Sequence, residues 1–180
     1  HVAMWDKYTR ALMCVSAGLD AALELPFCYA SGSAMDFAMG AVSMLNALHT
    51  VDYLCFGAET DDIKSFEWLS EIMIHEPEQY KMALKKNMAS GYSFPVAREH
   101  AVMEYTNDPA LISLLSSPNN ILALEYLCAL KRTHSDIKPV LIQRTGSGYH
   151  DSVLHGHISS ATAIRGAFDE VSDDRTNILS

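Results

Sequence analysis

Residues 33–57 read SAMDFAMGAVSMLNALHTVDYLCFG, and this stretch decides the fold class. Ser33 is a good helix cap, and Phe37, Ala41, Met44, Leu45 and Leu48 recur behind it at helical spacing. That pattern predicts an amphipathic helix from Ser33 to about Leu48. The period then changes. Val51-Asp52-Tyr53-Leu54-Cys55-Phe56 is short, apolar and aromatic, and Gly57 closes it, which predicts a strand. The same alternation is expected upstream. Asp6 caps a helix over Trp5–Leu19 with Tyr8, Leu12, Val15 and Leu19 on one stripe, and Gly18 marks its end. Ala21–Leu25 follows as a short strand broken by Pro26. Helix, strand, helix, strand is the order of a parallel sheet with covering helices.

From Asp61 to Arg132 the pattern is wholly helical. Helices are expected over 62–74, 77–90, 94–105 and 119–132, separated by Pro77, Gly91, Asp108-Pro109 and Pro118. We read about 61–117 as a helical insertion and the last helix as the crossover back to the sheet. Lys138–Gln143 is the third expected strand, followed by a Gly-rich turn over 144–149. Residues 1–168 make one expected domain, and 169–180 a polar tail leading to a further C-terminal region. The start at His1, without methionine or a secretory signal, reads as part of a longer protein.

The 180 residues are 49% hydrophobic and carry a net charge of −9. A segment of that sign repels a phosphate backbone at long range, so strong nonspecific nucleic-acid binding by this part alone is not expected. No apolar run reaches the length of a membrane span. Cys14, Cys28, Cys55 and Cys128 lack the short spacing of a zinc or redox motif and are expected as four buried thiols in a cytoplasmic protein.

Ligands of parallel sheets gather at the carboxyl ends of the strands. Gly57 ends one strand and lets a flat base approach the backbone. Asn119, in Pro118-Asn119-Asn120-Ile121-Leu122, offers an amide with both donor and acceptor. Arg144 follows another strand and brings a fixed charge for phosphate. Further on, Ile158-Ser159-Ser160-Ala161-Thr162-Ala163-Ile164-Arg165 reads as a capped helix start with hydroxyls and a guanidinium nearby. Helix-start amides with the groups of Ser159, Ser160, Thr162 and Arg165 suit a polyphosphate.

Seven segments in order carry a family resemblance. They are Asp6-Lys7-Tyr8-Thr9-Arg10, Glu24-Leu25-Pro26-Phe27, Phe56-Gly57-Ala58-Glu59, Ser93-Phe94-Pro95, Pro118–Leu122, Gln143-Arg144 with Gly148-Tyr149-His150-Asp151, and Ile158–Arg165. Together they resemble the bacterial tRNA(Met) cytidine acetate ligases of the HxGH nucleotidyltransferase superfamily. The likeness implies a Rossmann-like (HUP-type) parallel sheet with a helical insertion. It implies that acetate attacks the α-phosphorus of ATP, and that the acetyl group then passes to N4 of the wobble cytidine in elongator tRNA(Met). Gly57, Asn119 and Arg144 would contact ATP, and Ser159, Ser160, Thr162 and Arg165 would lie along its phosphates. Lys7 and Arg10 would be further contacts to phosphate or RNA, and Mg²⁺ would arrive with ATP. The family's N-terminal HxGH loop has no counterpart in these residues, so this segment alone is expected to be inactive.

Two rival readings stay open: adenylation of another small acid or phosphate ester, and a non-catalytic binding module of the same fold. His150, Asp151, His155 and His157 are read as a loop closing over ATP and not as a dedicated metal site. His100 is read as a surface residue, Glu67 and Glu71 as solvated helix faces, and Trp5 and Tyr8 as core or helix anchors rather than base-stacking groups.

Overall fold

The computed structural model describes residues 3–144. They fall in two compact units, one ending at Glu24 and the other spanning Leu25–Arg144. In the first, α1 is Lys7–Ser16, opened as expected by Asp6, whose carboxylate accepts the N–H groups of Tyr8 and Thr9. Gly18, at φ +104°, follows the helix end. Trp5 and Tyr8 do not act as buried anchors: they are 48% and 75% exposed. The expected strand at Ala21–Leu25 is absent. These residues are irregular and largely exposed, and among the described residues no strand pairs with them.

The second unit holds a parallel pair of strands, β1 (Tyr53–Ala58) and β2 (Lys138–Gln143). β2 keeps its expected limits. β1 begins two residues later and runs two residues further than its sequence suggests. Gly57 therefore lies inside the strand, paired with Ile142, because the ladder to β2 continues to Ala58 opposite Gln143. Phe56 and Ala58 point into the core, while Tyr53 and Cys55 lie on the exposed face. This two-residue alternation is what a strand buried on one side requires.

Before β1 come α2 (Phe27–Ala30) and α3 (Ala34–Leu48). The Ser33 hydroxyl accepts the Asp36 N–H at 3.2 Å, and the Asp36 carboxylate accepts the Ser33 N–H at 2.9 Å. This reciprocal cap starts α3 where the sequence placed it. Its fully buried face is formed by Ala38 and Val42, with Phe37 and Leu45 half-buried and Leu48 exposed. The small side chains are needed because α8 packs closely against them. At Gly40 a Cβ would come within 2.4 Å of the Tyr29 ring, so glycine lets α2 lie on α3. Ser33→Ala should lower stability by about 1 kcal/mol in urea unfolding. The Ser33 hydroxyl, followed by its backbone N–H, holds the Asp36 pKa below 3.8. The cap thus contributes fully above that ordinary value and is lost as pH falls through the lower folded value.

Between the strands lie α4 (Ile63–His75), α5 (Glu78–Ala89), α6 (Phe94–Thr106), α7 (Pro109–Leu115) and α8 (Pro118–Arg132). All but α7 follow the expected pattern to within about a residue. The proline that looked like a break starts α7, with Asp108 capping Ala110 at 2.9 Å. One core joins Phe56 to Phe66 and Leu69 of α4, Leu111 of α7, and Leu124 and Leu127 of α8. A smaller one joins Ala38 and Val42 to Ala129, Leu130 and Ile137. His100 is half-buried, its Nδ1 lying 3.2 Å from the Asn87 amide oxygen and its ring edge-on to Tyr92. Glu71 is ion-paired to Lys131, and its Oε2 lies 3.0 Å from His75 Nε2, so it is not simply solvated.

Deep among these helices, Arg98 Nη1 donates to Glu125 Oε1 at 2.6 Å, with side chains 9% and 7% exposed. Cys128 is buried, and burial pushes its thiol up to about 12. Cys14, Cys28 and Cys55 are exposed, contrary to the expectation of four buried thiols. Among the described residues, nothing covers the helix and sheet faces on which they lie. A thiol-reactive probe at pH 8 should therefore label three cysteines in the native protein and Cys128 only after unfolding.

Candidate functional site

Because β1 and β2 are parallel, both end on the same side of the sheet, and the Arg144 N–H extends the ladder to Ala58 O at 2.9 Å. Directly after β1 comes Glu59, and four groups converge on it. Its backbone N–H donates to Asn120 Oδ1 at 2.8 Å, and its carbonyl accepts Gln143 Nε2 at 3.4 Å. Its carboxylate oxygen Oε1 accepts Asn119 Nδ2 at 2.6 Å and lies 3.4 Å from Arg144 Nε. Asn120 is 4% exposed, so its amide works as an internal strut between α8 and β1.

A carboxylate has no proton to give, so the atom Asn119 turns toward Glu59 must be the amide nitrogen. The Asn119 carbonyl oxygen thereby stays available to accept from another group. Pro118 occupies the first turn of α8, where its missing N–H costs nothing, and the two asparagines sit in the same turn beside the positive end of the helix dipole.

At Gly57 a built Cβ would lie 3.5 Å from Arg144 Cγ and 3.8 Å from Ile142 O, which is ordinary contact. The protein's own packing therefore tolerates a side chain there. Beside Glu59 opens a cleft of about 470 Å³ lined by Thr60, Asp62, Ser65, Ser113 and Ser117, among others. Hydroxyls and carboxylates without a cation suit a ligand rich in donors and repel phosphate.

The structure thus brings Gly57, Asn119 and Arg144 to one corner of the sheet. Lys7 and Arg10 lie on α1, in the unit ending at Glu24, and Lys7 Nζ is held there by Glu24 at 2.8 Å. Ser159, Ser160, Thr162 and Arg165 lie outside the described residues, as do His150, Asp151, His155 and His157. Among the described residues no three His, Cys, Asp or Glu side chains converge as a metal site. No described helix is long and apolar enough to cross a membrane. The sequence reading missed Glu59 as the hub. Its one signal was the position directly after a strand and a glycine, facing the Asn-Asn pair.

Fold and site define an α/β protein with a parallel sheet and its polar site at the carboxyl ends of the strands. A profile of the family described as HIGH Nucleotidyl Transferase matches residues 1–179, and the chain belongs to that family. It is 42% identical over 168 residues to the tRNA(Met) cytidine acetate ligase of Caldanaerobacter subterraneus subsp. tengcongensis, covering 93% of this chain and 42% of the relative. It is 46% identical over 171 residues to the ligase of that name from Clostridium perfringens, covering 91% and 42%. Among solved structures, Thermotoga maritima TmcAL in its apo form I matches with a TM-score of 0.88 at 36% identity, over 92% of this chain and 40% of that one. TmcAL bound with alpha-thio ATP matches with a TM-score of 0.84 at 34% identity, over 93% and 39%. The chain spans about two fifths of the length of the curated relatives it matches.

Proposed function

We propose that this chain is the nucleotidyltransferase part of an ATP-dependent tRNA(Met) cytidine acetate ligase. The observation that carries the reading is the junction at Glu59, where Asn119 and Arg144 meet at the strand ends beside Gly57. It occurs in a chain at least 42% identical to ligases of that name.

On this reading a nucleoside approaches the open backbone at Gly57. The Asn119 carbonyl accepts from a ribose hydroxyl or base amine, and the Arg144 guanidinium pairs with phosphate oxygens. Ser159, Ser160, Thr162 and Arg165 belong to the phosphate path, and Lys7 and Arg10 are further phosphate or RNA contacts. An acetate oxygen forms a bond to the α-phosphorus while the bond to the leaving pyrophosphate breaks. The cytidine N4 amine then attacks the acetyl carbonyl, AMP leaves with the bonding pair, and the amine loses a proton. Fixed cations and amides favour these steps by stabilising the charge that builds on pyrophosphate and then on AMP. Mg²⁺ would enter on the phosphates and screen their charge. Residues 1–168 form the catalytic domain with its insertion at about 61–117, and tRNA(Met) is recognised by the full-length protein.

The test is acetate-dependent ATP–pyrophosphate exchange on the full-length protein and on this segment. Exchange by the full-length protein, lost without acetate, is the expected result. Absence of ATP binding by the full-length protein would overturn the reading. Asn119→Ala should raise the KM for ATP about fivefold with kcat little changed, the loss of one neutral hydrogen bond.

A further inference from the structure

We propose that the cleft beside Glu59 seats the amine-bearing base of the acceptor RNA, a cytosine, with its amine against the oxygen-lined walls and a ring acceptor against the Asn120 amide. The proposal rests on the acetyl-transferring function above and names where the receiving amine lies. The cleft, of about 470 Å³, lies between the loop after β1, the start of α4, α7 and the start of α8. That volume falls within the usual range of small-molecule sites and can hold a nucleoside.

The hydrogen-bonding capacity of its walls is lopsided. Ser65 uses its hydroxyl hydrogen on Asp62 Oδ2 at 2.5 Å, Ser113 on the Ala110 carbonyl at 2.6 Å, and Ser116 on the Ser113 carbonyl at 2.7 Å. All three line the cleft, so what they offer a ligand is oxygen lone pairs. Glu59 and Asp62 add carboxylates, and no Lys, Arg or His is among the residues that line it. A phosphate or carboxylate is repelled there, and a group with hydrogens to give is favoured.

Against these acceptors stands one fixed donor. Asn120 is 4% exposed, and its Oδ1 accepts the Glu59 N–H at 2.8 Å. A backbone N–H only donates, so the remaining atom of the amide is Nδ2. No hydrogen bond from Nδ2 is found among the described residues, yet this nitrogen is not sealed in the way that Arg98 Nε is. It opens on the space that Asn120 lines. A nearly buried amide with two unused hydrogens calls for an acceptor. It also disfavours a cation, and among the described residues no three His, Cys, Asp or Glu converge as a metal site.

Many acceptors facing one donor match the pairing edge of cytosine, where an amine adjoins a ring nitrogen and a carbonyl that only accept. Uracil would set a carbonyl oxygen against the same oxygens. Ala110 and Leu114 supply apolar surface for the ring, and bases of single-stranded RNA loops are read when splayed out into such sites. Adenine carries a similar edge, but neither Gly57 nor Arg144 lines the cleft, so ATP assigned to them leaves it free. Glu59 belongs to both places: its carboxylate meets Asn119 and Arg144, and it lines the cleft. An amine held there lies one side chain away from the groups assigned to ATP, as transfer between two bound substrates requires.

The experiment uses the full-length protein and two RNA anticodon stem-loops that differ only in cytidine or uridine at the wobble position. Binding is read by fluorescence anisotropy, the KM for RNA by acetyl transfer to the cytidine loop, and the KM for ATP by acetate-dependent pyrophosphate exchange. The wild type should bind the cytidine loop about tenfold or more tighter, because uridine leaves polar groups of the cleft unpaired. Asn120→Asp keeps an oxygen for the Glu59 N–H and turns the donor into an acceptor, so it should erase most of that preference. Ser113 is exposed on α7, so Ser113→Tyr fills the cleft without entering the core. It should raise the KM for RNA about tenfold or more, with the KM for ATP moving less than about twofold. No preference between the loops in the wild type, or a preference and an RNA KM unchanged in both variants, would overturn the proposal. A rise in the KM for ATP in place of that for RNA would put adenine in the cleft and overturn it too. Either result alongside acetate-dependent exchange by the wild type upholds the ligase reading and rejects the cleft. A cytidine preference lost in Asn120→Asp, with no ATP bound by the wild type, upholds the cleft and rejects the ligase reading.

Discussion

Glu125→Ala is expected to destabilise the protein by about 3–5 kcal/mol, the largest effect of any single change considered for this chain. The physical reason is asymmetry. Arg98 and Glu125 are both removed from water, and their mutual attraction offsets that cost only while both are present. Truncating Glu125 leaves a guanidinium buried without a counter-charge and opens a void where its side chain, 7% exposed, reached from α8 to Arg98. For a domain of this length such a loss corresponds to a fall in melting temperature on the order of 10 °C. Differential scanning calorimetry and urea unfolding should agree on it. Arg98→Met combined with Glu125→Leu should cost far less, because it removes the desolvation penalty along with the attraction. A small effect for Glu125→Ala would mean that water reaches Arg98 after all.

On the proposed function, Arg144→Ala is expected to raise the KM for ATP in the full-length protein by about 10–100-fold, while moving the melting temperature little. Its side chain is 40% exposed, and the backbone N–H that extends the β-ladder survives the substitution. On the proposed function, what is lost is a charge-assisted contact to phosphate, not packing. Arg144→Lys should recover part of the affinity, since an ammonium supplies charge but not the planar fork. A double-mutant cycle with Glu59→Ala refines the reading. If the Glu59 oxygen positions Arg144, the two changes should be less than additive in ATP affinity; full additivity would make Glu59 a bystander. Equal losses of stability and ATP affinity in Arg144→Ala would mark it as structural.

Much of this architecture was legible because local signals agreed with tertiary ones. Ser33 with Asp36 three residues later announces a cap, and the structure completes it on both sides. Lys138–Gln143 is bounded in the sequence by polar residues and a glycine-rich stretch, and no competing period blurs it. Where expectation failed, the deciding information lay elsewhere in the chain. Gly57 looked like a terminator, but hydrogen bonds from β2 carry the strand through it. Ala21–Leu25 has strand-like composition, yet composition supplies no ladder partner. Asp108-Pro109 looked like a break because a proline that starts a helix and one that stops it are locally alike. Gly57, Asn119 and Arg144, which the structure brings to one corner, were each visible near an expected strand or helix end. Glu59 was not, because its meaning depends on Asn119, 60 positions away. The Arg98–Glu125 pair was invisible for the same reason.

The separation of β1 from β2 has a kinetic consequence. Helices α5 to α8 pack on their neighbours in the chain and α4 on α8 spans a shorter segment, whereas pairing Tyr53 with Lys138 must close a loop over everything between them. Loop closure is entropically costly before its contacts form, so the helices should consolidate first and the strands zip together afterwards. The corner that gathers Gly57, Glu59, Asn119 and Arg144 is then among the last parts to assemble. Substitutions there should mainly speed unfolding, while substitutions at Phe66 or Leu124 should also slow refolding.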